Sequence, residues 1–207
     1  MFESNTKPPA SASRTGEIAE NNDDSSNIMT PLFPKSEFED RHKRILIAMS
    51  TNGLDSIVLF SPVNVFWASG YLGSPSHRKT PEFIHLFSYP WILIPNSDDP
   101  AIVGNSGAMK SYERETTIQR IFTHHPTANR APTLVKALEE LHLVDQTKII
   151  GFDLGDYESI SVPQFQYLQE KLKGVRRIQD NTMILQSLRM IKSPRERMSS
   201  HRSEHPE

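Results

Sequence analysis

The sequence contains no cysteine, which excludes disulfide bonds, thiol catalysis and thiolate metal ligands in this chain. It also lacks an excess of either charge, with 23 Lys and Arg residues against 25 Asp and Glu residues. Because nucleic-acid binding depends on clustered positive charge, this balance argues against a nucleic-acid partner. No apolar run is long enough to cross a bilayer, and the first residues do not resemble a signal peptide. These absences predict a cytoplasmic protein without a membrane partner.

Composition divides the 207 residues into three parts. Residues 1–35 are rich in Ser, Asn, Pro and Asp and nearly free of periodic apolar residues, so we expect a disordered amino-terminal tail. Residues 36–194 carry the periodic apolar pattern and have the length of one domain. Residues 195–207 offer only Met198 as an apolar side chain, and we expect a frayed polar tail there.

Helical periodicity marks the start of the predicted domain. Ser36 and Glu39 have the spacing of a capping box, in which each side chain satisfies a free amide at the helix start. The apolar residues of this helix recur at helical spacing and are Phe38, Ile45 and Met49. The Asn-Gly dipeptide at residues 52–53 predicts that the helix ends there in a left-handed turn.

Strands and further helices follow this first helix. Strands are predicted at residues 56–60, 91–94, 101–103, 120–122, 148–152 and 175–178, with a hairpin between the second and the third. Helices are predicted at residues 133–142, from a second capping box at Ser161 and Gln164, and from Asn181 as the N-cap. Their alternation in the second half of the chain predicts an α/β sheet covered by helices.

Few residues suggest a chemical site. His124 and His125 are neighbours on a predicted strand and point to opposite faces, so we expect solvated histidines and no metal site. Asp98 and Asp99 lie in a turn bounded by proline, where Asp side chains bond nearby backbone amides. Asp153 follows a predicted strand, at a position where α/β proteins often place functional groups. A loop or cap hydrogen bond is the simpler interpretation of Asp153, and a metal-dependent enzyme using it is an alternative.

Four segments occur in the order and at the spacing of a known domain. They read NGLDSIVLF at residues 52–60, SPVNVFWASGY at 61–71, IIGFDLG at 149–155 and SLRMIKSP at 187–194. Together they resemble the amino-terminal domain of the creatinase, prolidase and aminopeptidase P family of metallohydrolases, and the second segment is the most specific. The resemblance implies a mixed sheet flanked by helices in a ribonuclease H-like arrangement.

The same resemblance implies that the chemistry lies elsewhere. In the family, two divalent metal ions (Mn, Co or Zn) are held by Asp, His and Glu residues of a carboxy-terminal catalytic domain. That domain would begin beyond Pro194, so no catalytic residue, metal ligand or cofactor can be assigned to this chain. The implied function is a non-catalytic dimerisation and substrate-gating domain of an Xaa-Pro peptidase-like hydrolase. The chain is expected to be a truncated member, inactive alone, that meets peptide substrate only together with a catalytic domain.

The implied gating residues are Tyr71, His77 and Arg78. In family homodimers the loop at residues 72–80 helps to shape the partner's catalytic pocket, and His77 and Arg78 suit a substrate carboxylate. A solvated basic turn is the alternative for this loop. The alternative function is a stand-alone protein- or peptide-binding module, since the family's domains have been reused for recognition, including by histone chaperones. We also expect exposed apolar surface on the helix from Asn181 where no neighbouring domain covers it.

Overall fold

The computed structural model describes residues 33–72, 89–155 and 160–197. In chain order their elements are α1 (Lys35–Thr51), β1 (Ser56–Leu59), α2 (Pro62–Ser69), β2 (Trp91–Pro95), β3 (Ala101–Asn105), α3 (Met109–Glu115), β4 (Arg120–His124), α4 (Ala131–Glu140), β5 (Ile149–Phe152), α5 (Val162–Lys171), β6 (Arg177–Asp180) and α6 (Thr182–Met190). A 3-10 turn, Ser106–Ala108, precedes α3. His77 and Arg78 lie outside the described residues.

One six-stranded mixed sheet organises the domain, in the order β4-β3-β2-β1-β5-β6. Strands β1, β2 and β3 are antiparallel neighbours, whereas β5 and β6 run parallel to β1. Strand β4 extends the other edge, parallel to β3. The predicted hairpin is confirmed, with Ile92 opposite Ile102. This order confirms the predicted mixed α/β sheet.

Both faces of the sheet are buried. Successive side chains of β1 point to opposite faces, so Ile57 and Leu59 belong to one core cluster and Val58 to the other. The first cluster lies under α1, α2, α3 and α6, and the second under α4 and α5. The ring of Phe60 packs edge-on against Trp91 and Phe152, with centroids 4.8 Å and 5.0 Å away. The sheet is thus the middle layer of three.

Helix α1 begins two residues earlier than its predicted N-cap, Ser36, implies. Its N-cap is Pro34, and no side chain caps it. The predicted capping box is therefore wrong: Ser36 lies inside the first turn, and the carboxylate of Glu39 is 3.7 Å from the ammonium group of Lys35. The three apolar residues predicted for its inner face are buried, and Gly53 has a φ of +64°, which confirms the left-handed end.

Helix α2 has no counterpart in the predicted elements. Its sequence, PVNVFWAS, is rich in β-branched and aromatic residues, which are only moderate helix formers. Pro62 is well suited to the first helical position, and Gly70 ends the helix with a φ of +80°. Propensity alone gives a weak signal here, so tertiary contacts determine the helix.

The later helices match the predictions in part. The capping box of Ser161 and Gln164 is present at α5, as predicted. Asn181 occupies the N-cap position of α6, but its side chain makes no capping bond. That part of the prediction is wrong, because the carboxylate of Asp180 accepts the hydrogen bond from the backbone amide of Thr182 at 3.0 Å instead.

The structure describes residues on both sides of the predicted domain bounds, 36–194. Phe33 is buried and packs edge-on against Phe38, with ring centroids 6.4 Å apart. At the other end, residues 194–197 form a helical turn in which Glu196 is bonded to Arg41, within the stretch predicted to be a frayed tail. The predicted tails otherwise lie outside the described residues. In the part of the chain that the structure describes, no helix is long and apolar enough to span a membrane.

Candidate functional site

Tyr71 is the only predicted gating residue within the described part of the chain. Its side chain is fully buried, and its ring lies 5.1 Å from the ring of Tyr112 and 6.1 Å from that of Tyr89. The hydroxyl of Tyr89 donates a hydrogen bond to the carbonyl oxygen of Leu72 at 3.1 Å. Tyr71 therefore belongs to the core at the start of the predicted gating loop and does not itself face solvent.

Asp153 is a buried residue that bonds to the connection between β1 and α2. It lies directly after β5, and its carboxylate accepts hydrogen bonds from the amides of Phe60 at 2.5 Å and Ser61 at 3.1 Å. The side-chain amide of Asn64 donates a third bond at 2.7 Å. A carboxylate at the start of α2 also interacts favourably with the helix dipole. The simpler interpretation of Asp153, a loop or cap hydrogen bond, is the one that the structure supports, because the bonded amides lie in the loop before α2.

The network around Asp153 continues to the last helix. Asn64, which is fully buried, accepts a hydrogen bond from the guanidinium group of Arg189 at 2.6 Å. A polar chain thus joins β5, α2 and α6. The sequence pattern did not predict this network, because Asn64, Asp153 and Arg189 are distant from one another in sequence.

Arg41 on α1 forms the second buried polar centre. Its guanidinium group donates to the carbonyl oxygen of Trp67 at 2.7 Å and to the carboxylate of Glu196 at 3.0 Å. The carboxylate of Glu37 lies 3.3 Å from its Nε. Burial lowers the pKa of Arg41, and the charges of Glu196 and Glu37 oppose that shift. Sequence analysis did not single out Arg41 or Glu196.

Arg44, three residues after Arg41 on α1, contacts the end of α6. It donates hydrogen bonds to the carbonyl oxygens of Leu188 and Ile191, the latter at 3.2 Å. Its guanidinium carbon lies 5.5 Å from the centre of the Trp67 ring. Residues 188–197, called here the C-terminal segment, are therefore bound to α1 by two arginines.

Apolar side chains are exposed on α6 and just after it. The exposed fractions are 75% for Met183, 79% for Met190 and 66% for Ile191. Residues 183 and 190 are seven apart, which places them on the same side of the helix. This exposure confirms the expected apolar surface, called here the α6 surface.

The two adjacent histidines make local contacts. His124 Nδ1 lies 2.8 Å from the carbonyl oxygen of His125, and His125 Nδ1 lies 2.9 Å from the hydroxyl of Thr127. Burial lowers the pKa of His124, which lines an open cavity of about 400 Å³ together with Arg130 and Gln164. Within residues 33–72, 89–155 and 160–197, no group of three or more His, Asp or Glu side chains could hold a metal ion.

The turn at Asp98 and Asp99 behaves as predicted. The backbone amide of Asp99 donates to the carboxylate of Asp98 at 2.7 Å. Asp98 also forms an ion pair with Arg120 at 2.9 Å, and hydrogen bonding to Arg120 lowers its pKa. These contacts join the β2–β3 turn to β4.

Comparison with known proteins connects this architecture to a family. The family model described as "Creatinase/Prolidase N-terminal domain" matches residues 41–191, which is most of the chain. The chain belongs to this family. A comparison with curated protein sequences gave no match. The family match includes Arg41, Asp153 and Arg189 and ends before Glu196.

Solved structures show the same fold. The aminopeptidase P (Xaa-Pro aminopeptidase) from Streptococcus thermophilus has a TM-score of 0.55 and 18% identity, covering 74% of this chain and 98% of that chain. The N-terminal domain of the cytoplasmic peptidase PepQ from Mycobacterium tuberculosis H37Rv has a TM-score of 0.53 and 14% identity, covering 72% and 98%. The Xaa-Pro dipeptidase from Bacillus anthracis has a TM-score of 0.57 and 14% identity, covering 76% of this chain but 37% of that chain. The creatinase/prolidase N-terminal fold can therefore form one part of a longer chain.

Proposed function

We propose that this chain is the non-catalytic dimerisation and substrate-gating domain of a metal-dependent Xaa-Pro peptidase-like hydrolase in the cytoplasm. The observation that carries the proposal is the α6 surface, formed by Met183, Met190 and Ile191. Large exposed apolar side chains on one helix and just after it are typical of a surface that another domain covers. The membership of the family and the names of the solved relatives supply the class of reaction.

Catalysis is assigned to a separate domain in this proposal. That domain would hold two divalent metal ions, Mn, Co or Zn, which activate water and polarise the scissile carbonyl. The acidic group at the end of β5 in this chain, Asp153, has a different task, because it accepts three hydrogen bonds at the start of α2. A buried carboxylate with these partners favours a structural role over a catalytic one.

Gating is assigned to the loop that follows Tyr71. We propose that His77 and Arg78 attract the carboxylate of a peptide substrate in the catalytic pocket of the partner in a homodimer. Tyr71 would support this loop from the core, since its ring packs against those of Tyr89 and Tyr112. In this arrangement Tyr71 positions the loop and does not touch substrate.

Two measurements on the purified 207-residue chain test the proposal. We expect no hydrolysis of an Xaa-Pro dipeptide with Mn²⁺, Co²⁺ or Zn²⁺, and a sedimentation mass of twice the 23.6 kDa chain. Metal-dependent hydrolysis that Asp153→Asn abolishes would contradict the non-catalytic role. A monomer at every concentration would contradict the dimer.

The α6 surface also fits a second function, a stand-alone protein- or peptide-binding module. Fluorescence anisotropy with labelled peptides separates the two functions. The probes are an Xaa-Pro tripeptide and a basic histone-tail peptide, each measured without a catalytic domain. If either peptide binds saturably and Met190→Gln weakens that binding, the result favours the binding module. If the chain is dimeric and binds neither peptide, the result favours the gating domain.

A further inference from the structure

We infer that the ion pair of Arg41 and Glu196 is an anchor that holds the C-terminal segment in one orientation on α1. Residues 193–197 would then be a rigid continuation of the domain, and any structure that continues from them would inherit a fixed direction. The inference goes beyond the proposed function and does not depend on it, because every group involved lies within this chain.

Arg41 is buried to an unusual degree for a charged residue. Its side chain is 1% exposed, and its guanidinium carbon lies between 4.6 and 5.5 Å from the ring centres of Phe33, Phe38 and Trp67. A charge in such surroundings requires partners, and removal of one leaves it poorly compensated. Glu37 supplies one carboxylate from the same helix, and Glu196 supplies the other across 155 residues of sequence.

Glu196 uses its two carboxylate oxygens for different tasks. Oε1 accepts the hydrogen bond from Arg41, whereas Oε2 accepts one from the backbone amide of Ser193 at 2.7 Å. The hydroxyl oxygen of Ser193 accepts a hydrogen bond in return from the amide of Glu196 at 3.1 Å. This reciprocal pair is a capping box, which starts the helical turn at residues 194–197. One carboxylate therefore both shapes the turn and attaches it to the core.

Arg44 provides a second attachment. It donates to carbonyl oxygens of Leu188 and Ile191 at the end of α6, where backbone acceptors lack partners within the helix. Arg41 and Arg44 are three residues apart and therefore lie on the same side of α1. Because the C-terminal segment is bound at two points, it cannot turn about a single hinge.

Glu196→Gln is the variant that best tests the anchor. Glutamine preserves the size of the side chain and can serve in a capping box, but it removes the negative charge that faces Arg41. Arg41 keeps Glu37 as a partner, so the domain should remain folded. Ser193→Ala is the complementary variant, because it removes the cap and preserves the ion pair. Glu139→Gln, at an exposed position on α4, is the control for loss of one carboxylate.

The absence of cysteine allows direct measurement by paired spin labels. Cysteines are introduced at Lys43, an exposed residue on α1, and at Arg197, at the end of the described segment. Electron paramagnetic resonance then gives the distribution of distances between the two labels in the full chain. We expect one narrow distribution in the parent chain, in Ser193→Ala and in Glu139→Gln. In Glu196→Gln the detached population should rise about tenfold, because a charge-assisted hydrogen bond is lost.

Two results would overturn the anchor. One is a broad distribution in the parent chain, and the other is an equal width in the parent chain and Glu196→Gln. Circular dichroism of each labelled variant checks that the domain is folded. If Glu196→Gln does not fold, Glu196→Asp replaces it, since the shorter carboxylate keeps the charge but not the reach. The anchor then predicts a broad distribution in Glu196→Asp, and a narrow one would contradict it.

Discussion

The hydroxyl group of Tyr112 occupies the space that a side chain at Gly104 would need, since a Cβ there would lie 2.5 Å from the tyrosine oxygen. Gly104 is on β3 and Tyr112 on α3, so the glycine allows that short helix to approach the sheet. Burial raises the pKa of Tyr112 to about 12. The tyrosine in turn packs against Tyr71, which links this contact to the start of the predicted gating loop.

Gly104→Ala should therefore destabilise the domain. The added methyl group would displace the Tyr112 ring, because ring carbons as well as the hydroxyl lie within 2.7 Å of the new atom. We expect the free energy of unfolding to fall by about 2 kcal/mol, as for other overpacked sites. Urea denaturation measures this change.

Gly174→Ala is the matched control for that prediction. A Cβ at Gly174 would meet only a methyl group of Val144 at 3.5 Å, which is an ordinary contact. We expect stability to be unchanged or to increase by about 0.5 kcal/mol, because alanine restricts the unfolded chain. Equal losses in the two variants would contradict the role assigned to Tyr112.

Asp153→Asn should destabilise the start of α2. The carboxylate accepts two backbone hydrogen bonds and one from Asn64, and an amide can offer only one acceptor oxygen. At least one buried donor would then lack a partner, and we expect a loss of about 3 kcal/mol. Asp40→Asn, which removes an exposed carboxylate on α1, should change stability by less than about 0.5 kcal/mol. An unchanged free energy of unfolding for Asp153→Asn in denaturant titrations would contradict the structural role of Asp153.

Stability should fall on mild acidification because of His42. Burial lowers the pKa of this histidine in the folded domain below its ordinary value of 6.5. The unfolded chain then binds the proton more readily, so the stabilisation present above pH 6.5 is lost as the pH falls towards the folded pKa. Urea midpoints measured from pH 7.5 to about pH 5 should decrease, and the decrease should be smaller in His42→Gln.

His124 provides the comparison for the pH measurement, since burial lowers its pKa as well. His124→Gln should also reduce the acid sensitivity, and the double variant should reduce it further. An unchanged pH profile in His42→Gln would contradict the prediction, since it would mean that His42 binds a proton as readily in the folded domain as in the unfolded chain.

The α6 surface should bind apolar dyes. We expect the parent chain to enhance the fluorescence of anilinonaphthalene sulfonate, and Met183→Gln with Met190→Gln to reduce it severalfold. Both side chains are mainly exposed, so stability should change by less than about 0.5 kcal/mol. Val162→Gln, at a position on α5 that is 68% exposed, is the control and should leave dye binding unchanged. Equal dye binding in all variants would contradict an apolar surface centred on α6.

The sequence predicts the sheet well because its strands are short, apolar and separated by turn residues. The α2 helix was missed, since its β-branched and aromatic residues suit a strand as well as a helix. Asp153, far along the chain, bonds to the residues before α2 and to Asn64 within it, and no local pattern contains these contacts. Helix and strand propensities of single residues cannot predict a helix that depends on such tertiary contacts.

The buried charges at the C-terminal segment were harder to predict than the sheet. Glu196 stands in a polar stretch and was assigned to a frayed tail, yet its side chain is 10% exposed beside Arg41. Burial of a charge is decided by a partner, and this partner is 155 residues away. Asp153 was easier, because a loop or cap hydrogen bond was already the simpler interpretation of an Asp that follows a strand.

The order of the strands determines how late the sheet can be completed during synthesis. Strands β1, β2 and β3 can pair as neighbours once residue 105 has been made, but the other edge of β1 needs β5. Val58 on β1 can therefore pair with Phe152 on β5 only after residue 152 has been synthesised. Until then the nascent chain carries an apolar strand with one unpaired edge, a feature that promotes association between chains. The rate of translation determines how long this edge of β1 stays unpaired. Slower elongation through residues 105–152 should therefore lengthen the time during which the edge can bind chaperones or aggregate.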